Sequence, residues 1–125
     1  MQVVPDMIGK DEMSRLHIAV HRDPPHAVLA LDGELDMATA AHLNDAFMTQ
    51  YEAGQRKVIL DVGALTFCDS YGLRLLLRLQ DRCVAGGGRL VLADVRGMLA
   101  RVLSLTGLER AFAQSDTVEH ATTQL

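Results

Sequence analysis

An abrupt passage from strand to helix near the middle of the chain constrains its fold more than any other feature. The apolar run Val58, Ile59, Leu60 reads as a buried strand and leads through a short turn to Asp69-Ser70. A long aliphatic helix starts there at once, carrying Leu73, Leu75, Leu76, Leu77 and Leu79. A serine on the first turn of such a helix exposes its hydroxyl at the end of a strand. It also meets free backbone N–H groups and the positive end of the helix dipole, both of which favour an anion. That is a good place to attach a phosphoryl group.

The rest of the chain alternates in the same manner. Leu16, Ile18 and Val20 alternate with polar or small residues and predict a strand. The segment from His21 to His26 holds Pro24 and Pro25, which cannot continue a ladder, so it is a turn. Ala27 to Leu31 reads as the return strand of a hairpin, and Asp32-Gly33-Glu34-Leu35-Asp36 as a loop. Asp36 is a good N-cap for a helix from about Met37 to Tyr51, with Ala40, Leu43 and Phe47 facing the core. Lys57 to Asp61 is the next strand, and a second helix runs from about Ser70 to Ala85. On that helix Arg74, Arg78, Asp81 and Arg82 form a stripe facing solvent.

Gly86-Gly87-Gly88 then turns helix into strand, and Leu90 to Ala93 is that strand. Met98, Leu99, Val102, Leu103 and Leu105 outline a third helix, which Gly107 and Leu108 suit as a left-handed stop with an apolar cover. Glu109 to Ala113 looks like a last short strand, and Ser115 caps a modest C-terminal helix. Strands separated by helices of this length predict an α/β fold. Its sheet is mostly parallel, with four to five strands beginning with an antiparallel hairpin, and it carries about four helices.

With 125 residues the chain forms one domain, long enough to bury a core. The boundaries expected are a loose tail over residues 1–14 and a domain over 15–125. Lys and Arg total twelve but are scattered, with no basic stripe interleaved with aromatics, which argues against direct nucleic-acid binding. No apolar stretch is long enough for a bilayer, and the first residues lack a signal peptide's basic and apolar regions, so a cytoplasmic protein with no membrane insertion is expected. Cys68 would precede the second helix as a loop residue and Cys83 would lie in its last turn. That places them roughly 20 Å apart, beyond disulfide reach.

Other constellations carry less. Gly86-Gly87-Gly88 precedes a strand, whereas a phosphate-cradling glycine loop follows one. His17 and His21 lie on a strand pattern, about 13 Å apart, too far to share a metal ion. Ser70 lacks the glycines of a nucleophile elbow, and no histidine is close in sequence. Asp36 would join Ser70 only if both open helices at the ends of adjacent parallel strands.

The chain resembles the STAS-domain proteins of the anti-sigma factor antagonist family. Leu31-Asp32-Gly33-Glu34-Leu35-Asp36, with Thr39-Ala40 following, is similar to the family's signature before the first helix. Val58-Ile59-Leu60-Asp61 and then Leu65-Thr66-Phe67-Cys68-Asp69-Ser70-Tyr71-Gly72-Leu73 are similar to its strand, turn and phosphoacceptor motif. Gly87-Gly88-Arg89-Leu90 and Leu105-Thr106-Gly107-Leu108 also fit, so the resemblance spans Leu16 to Thr123.

The resemblance implies a single STAS domain that works as a switch, not an enzyme, with no cofactor and no metal. It implies an anti-sigma factor as partner, a serine kinase of histidine-kinase-like ATPase fold. That kinase modifies the serine after the motif Asp, here Ser70, and a phosphatase resets it. Asp36, Asp69, Tyr71, Arg74 and Arg78 are the expected partner-binding residues. Tyr71 departs from the small or hydroxylic residue usual at its position. The alternative is a non-enzymatic STAS subunit of a larger complex, in a stress-sensing assembly or a lipid-transport ATPase.

Overall fold

A computed structural model describes residues 15–125; the tail expected over 1–14 lies outside them. Strand β1, Leu16–Asp23, pairs antiparallel with β2, His26–Leu35, Leu16 standing opposite Gly33. Helix α1, Ala40–Glu52, leads to β3, Lys57–Cys68, which lies parallel to β2. Helix α2, Ser70–Ala85, leads to β4, Arg89–Ala93, and helix α3, Gly97–Thr106, is followed by the 3-10 turn Glu109–Ala111. Strand β5, Ala113–Ser115, and helix α4, Val118–Thr122, complete the described residues. The sheet order is β1-β2-β3-β4-β5, and every pair after the hairpin is parallel. The expected α/β architecture is the one observed.

The unbroken apolar run in β3 follows from burial on both faces. Val58, Leu60 and Val62 join Leu29, Leu31, Phe47, Leu76, Leu79, Leu92 and Leu103 in the main core. Ile59 points the other way and meets Val91, Ala93 and Ala121, with Val28 and Val118 packed beside them. Alternation along one strand therefore serves two apolar layers.

Six local expectations are corrected. The turn expected from His21 to His26 is Pro24-Pro25 alone: the ladder runs on through His21 opposite Val28 and Arg22 opposite Ala27 to Asp23 opposite His26. The segment from Asp32 to Asp36 is not a loop: β2 continues to Leu35, which is fully buried. It does so with register shifts at Ala30/Asp32 and Gly33/Glu34, and with Gly33 at φ +126°, a conformation that favours glycine. A Cβ on Gly33 would lie 2.0 Å from the Arg15 carbonyl oxygen, so β1 and β2 can close only over glycine.

Helix α1 starts at Ala40 after Thr39, not at Met37. Asp36 accepts the N–H groups of Ala38 and Thr39 at 2.9 and 3.1 Å and so caps a turn that precedes the helix. No turn separates Leu60 from Asp69: β3 runs to Cys68, with Val62, Leu65 and Cys68 buried. Cys68 is thus a strand-end core residue.

The segment expected as a strand from Glu109 to Ala113 opens instead with the 3-10 turn Glu109–Ala111, whose Ala111 carbonyl accepts a hydrogen bond from the Gln80 side chain at 2.6 Å, and strand pairing begins only at Ala113. Ser115 ends that strand, and Thr117 caps α4 by accepting the His120 N–H at 3.0 Å. Gly107, at φ 74°, stops α3 in the left-handed conformation expected, and the Leu108 N–H donates to the Leu103 carbonyl at 2.9 Å.

Candidate functional site

The site forms where β2 and β3 end side by side. Leu35 is in register with Cys68, and the Asp69 N–H donates to the Leu35 carbonyl at 3.2 Å. Asp36 and Asp69 are therefore the next residues along two neighbouring parallel strands, at the carboxyl edge where ligands and partners of α/β sheets gather. Ser70 follows as the first residue of α2 and is exposed.

The turn into α2 is held by Asp69. Its backbone is extended, and its carboxylate accepts the Gly72 N–H at 2.8 Å, the side-chain cap of a helix N-terminus. Gly72 lets that first turn sit down on β2. A Cβ there would lie 2.8 Å from both the Leu35 carbonyl oxygen and its Cγ, and 3.2 Å from the Cys68 sulfur. Burial, with the Asp69 charge as a second contribution, pushes the Cys68 thiol up to about 12.

The neighbouring turn is held just as firmly. Besides its two backbone donors, the Asp36 carboxylate meets the Arg15 guanidinium at 2.7 Å, and Arg15 reaches Glu34 at 2.5 Å. Burial alone would raise the Asp36 carboxyl. The hydrogen bonds from Arg15, Thr39 and Ala38 outweigh it and hold the group below its usual value. The nearly buried Thr39 hydroxyl accepts the Asp36 N–H at 3.0 Å and donates to the Glu34 carbonyl at 2.8 Å. Both carboxylates flanking Ser70 are thus occupied by donors of their own chain.

The same sheet edge carries exposed apolar residues. Met37 is 69% exposed, Phe67 38% and Tyr71 39%, although each adjoins the carboxyl edge. Arg74 and Arg78 are exposed on α2, one and two helical turns beyond Ser70. The structure therefore gathers Asp36, Asp69, Ser70 and Tyr71, sets Arg74 beside them and leaves Arg78 farther along the helix. Among the described residues, no group of His, Cys, Asp or Glu is placed to hold a metal ion, and no helix is long and apolar enough to cross a membrane.

Sequence reasoning missed Arg15, Met37 and Phe67. Arg15 had a readable signal, since Glu34 and Asp36, two residues apart, call for a counter-charge. Met37 and Phe67 are apolar residues flanking the two polar motifs, outside either core pattern.

Comparison with known proteins fits this geometry. The STAS domain family model matches residues 17–121. The anti-sigma-F factor antagonist RsfB of Mycobacterium tuberculosis is 31% identical over 100 residues, covering 78% of this chain and 79% of RsfB. A crystal structure of an anti-sigma factor antagonist from Mycobacterium paratuberculosis superposes with a TM-score of 0.76 at 26% identity, over 87% of this chain and 92% of that one. The Bacillus cell fate determinant SpoIIAA in its phosphorylated form shares the fold, with a TM-score of 0.68 at 23% identity, over 86% and 98% of the two chains.

Proposed function

This chain belongs to the STAS-domain family, and from that premise we propose that it is an anti-sigma factor antagonist whose binding is switched off by phosphorylation of Ser70. The observation that carries the reading is the placement of Ser70: an exposed hydroxyl opening a helix whose leucine face is buried, at the same sheet edge as exposed Phe67 and Tyr71 and the turn carrying exposed Met37. The names of relatives such as RsfB support the antagonist role. The partner is an anti-sigma factor with serine-kinase activity and a histidine-kinase-like ATPase fold, and a phosphatase restores the free serine. Binding, not catalysis, is the activity, and the setting is cytoplasmic.

The unmodified surface suits docking. Met37, Phe67 and Tyr71 supply apolar area, while Asp36 and Asp69 spend their carboxylates on internal donors and so shape the surface more than they contact the partner. Arg74 and Arg78 extend the contact along α2. A phosphate adds about 1.5 to 2 negative charges beside those two carboxylates, and the desolvation cost of that cluster opposes reassociation.

The test is co-purification of the partner followed by incubation with ATP and phosphosite mapping. One phosphate should appear and be absent from Ser70→Ala. Modification at Tyr71, Ser104 or Ser115 instead would overturn the assignment. A partner that binds without ever modifying the chain would point to the subunit of a larger complex.

A further inference from the structure

We propose that Arg74 is the internal ligand of the phosphate on Ser70, an ion pair within α2 that withdraws Arg74 from the partner surface at the moment of modification. This rests on Ser70 being the phosphoacceptor. Ser70 is the first residue of α2 and Arg74 the fifth. Residues four apart stand one above the other on a helix, and long side chains lean back toward its N-terminus, so Arg74 extends toward Ser70. An anion N-terminal to its cation is the favourable order for such a pair. Both side chains lie on the solvent side, while Leu73, Leu75 and Leu76 between and beside them are buried.

The surrounding charges single out Arg74. Among the described residues it takes part in none of the ion pairs, which involve Arg15, Arg96, His26 and His120. Arg15 is already shared between Glu34 and Asp36. Arg78 stands two helical turns from Ser70, about 12 Å along the axis. The anions that face the phosphate are fixed: Asp69 by the Gly72 N–H, and Asp36 by Ala38, Thr39 and Arg15. Their repulsion turns the phosphate along the helix toward the one uncommitted guanidinium within reach. A phosphate and a guanidinium make a strong, planar two-point contact. Modification then changes the docking surface twice, adding negative charge at Ser70 and occupying the basic side chain beside it.

Phosphoserine inserted at position 70 during synthesis of the full chain gives a test that needs no kinase. The second ionisation of the phosphate, near pH 6 in a free phosphoserine, is followed by phosphorus NMR at low salt. Arg74→Gln should raise that ionisation by about 0.2 to 0.4 pH units, the size expected for loss of an exposed ion pair, and Arg74→Lys should recover more than half of the shift. Arg78→Gln should leave it within about 0.1 units. An unchanged value in Arg74→Gln would overturn the proposal, as would an equal rise in Arg78→Gln, which would show no specific pairing with Arg74. Because the phosphate is installed during synthesis, failure here is distinct from failure of Ser70 as phosphoacceptor, which the site mapping above reads.

Discussion

The guanidinium of Arg15 lies 2.7 Å from the carboxylate of Asp36, joining the start of β1 to the turn that borders Ser70. The antiparallel register makes this possible: Leu16 stands opposite Gly33, so Arg15 lies beside the last residues of β2. With Ala38 and Thr39 as further donors, the turn carrying the exposed Met37 is held by its own charges before any partner arrives. A surface fixed in this way loses little freedom on docking.

The same contact predicts a pH dependence. The Asp36 carboxyl sits below its ordinary value of 3.8, so its contribution to stability is present above that value and is lost as pH falls through the lower folded value. Asp36→Asn should therefore be less stable than the wild type at neutral pH, and the gap should narrow below pH 3.8. Urea unfolding on both sides of that pH measures it. A gap independent of pH would show that the charge of Asp36 contributes nothing.

Gly72→Ala sets two effects against each other. Alanine favours a helix interior over glycine by about 1 kcal/mol. The new methyl would meet the Leu35 carbonyl oxygen at 2.8 Å, however, and that atom also accepts the Asp69 N–H, so it has little room to move. Overpacking of this kind costs about 1 to 3 kcal/mol, and net destabilisation is expected. Denaturant unfolding decides the sign; a stabilised variant would show that α2 can lift off β2 at little cost.

What could be read from the residues alone followed from local pattern. The span of α2 from Ser70 to Ala85 was legible because a cap, a leucine-rich face and a glycine stop all agree. The end of β2 was not: Asp32-Gly33-Glu34 has the composition of a turn, and only pairing with the long β3 makes it strand. The cap of α4 was not legible either: Ser115 pairs in β5, and Thr117 takes the role instead. The juxtaposition of Asp36 and Ser70 was legible as a consequence of parallel order. The part played by Arg15 was not, because it depends on hairpin register between residues nearly twenty apart.

The two cysteines should be inert in the folded protein. Burial pushes Cys68 up to about 12 and Cys83 up to about 11, so both remain thiols, and the thiolate is the reactive form. Ellman's reagent at pH 8 should react with neither until denaturant is added, when both should react. Fast labelling of Cys68 in the native protein would show a reactive thiol beside Ser70 and overturn this expectation.

Asp69 separates capping from recognition. Asp69→Ala removes the acceptor of the Gly72 N–H and should cost about 1 kcal/mol, whereas Asp69→Asn keeps a capping oxygen and should cost a few tenths. If Asp69 acts only through the turn, partner affinity should follow stability across the pair. Loss of affinity in Asp69→Asn with an unchanged melting temperature would show direct recognition of its charge.

The switch itself is tested at Ser70. If added charge causes release, Ser70→Asp should weaken binding to the anti-sigma partner, while Ser70→Ala should bind constitutively. Aspartate carries one charge and fewer acceptor oxygens than a phosphate, and its short side chain holds that charge nearer the Asp69 carboxylate, so partial mimicry is expected. A tenfold loss of affinity, about 1.4 kcal/mol, is the effect to look for by titration calorimetry. Screening then separates electrostatics from shape: exposed charges interact over about 10 Å at 0.1 M salt and less at higher salt, so an electrostatic penalty should shrink as salt is added. A penalty that persists would instead reflect the shape of the aspartate side chain rather than its charge. Equal affinity for the wild type, Ser70→Asp and the phosphorylated chain would refute the switch and leave a constitutive STAS subunit as the better reading.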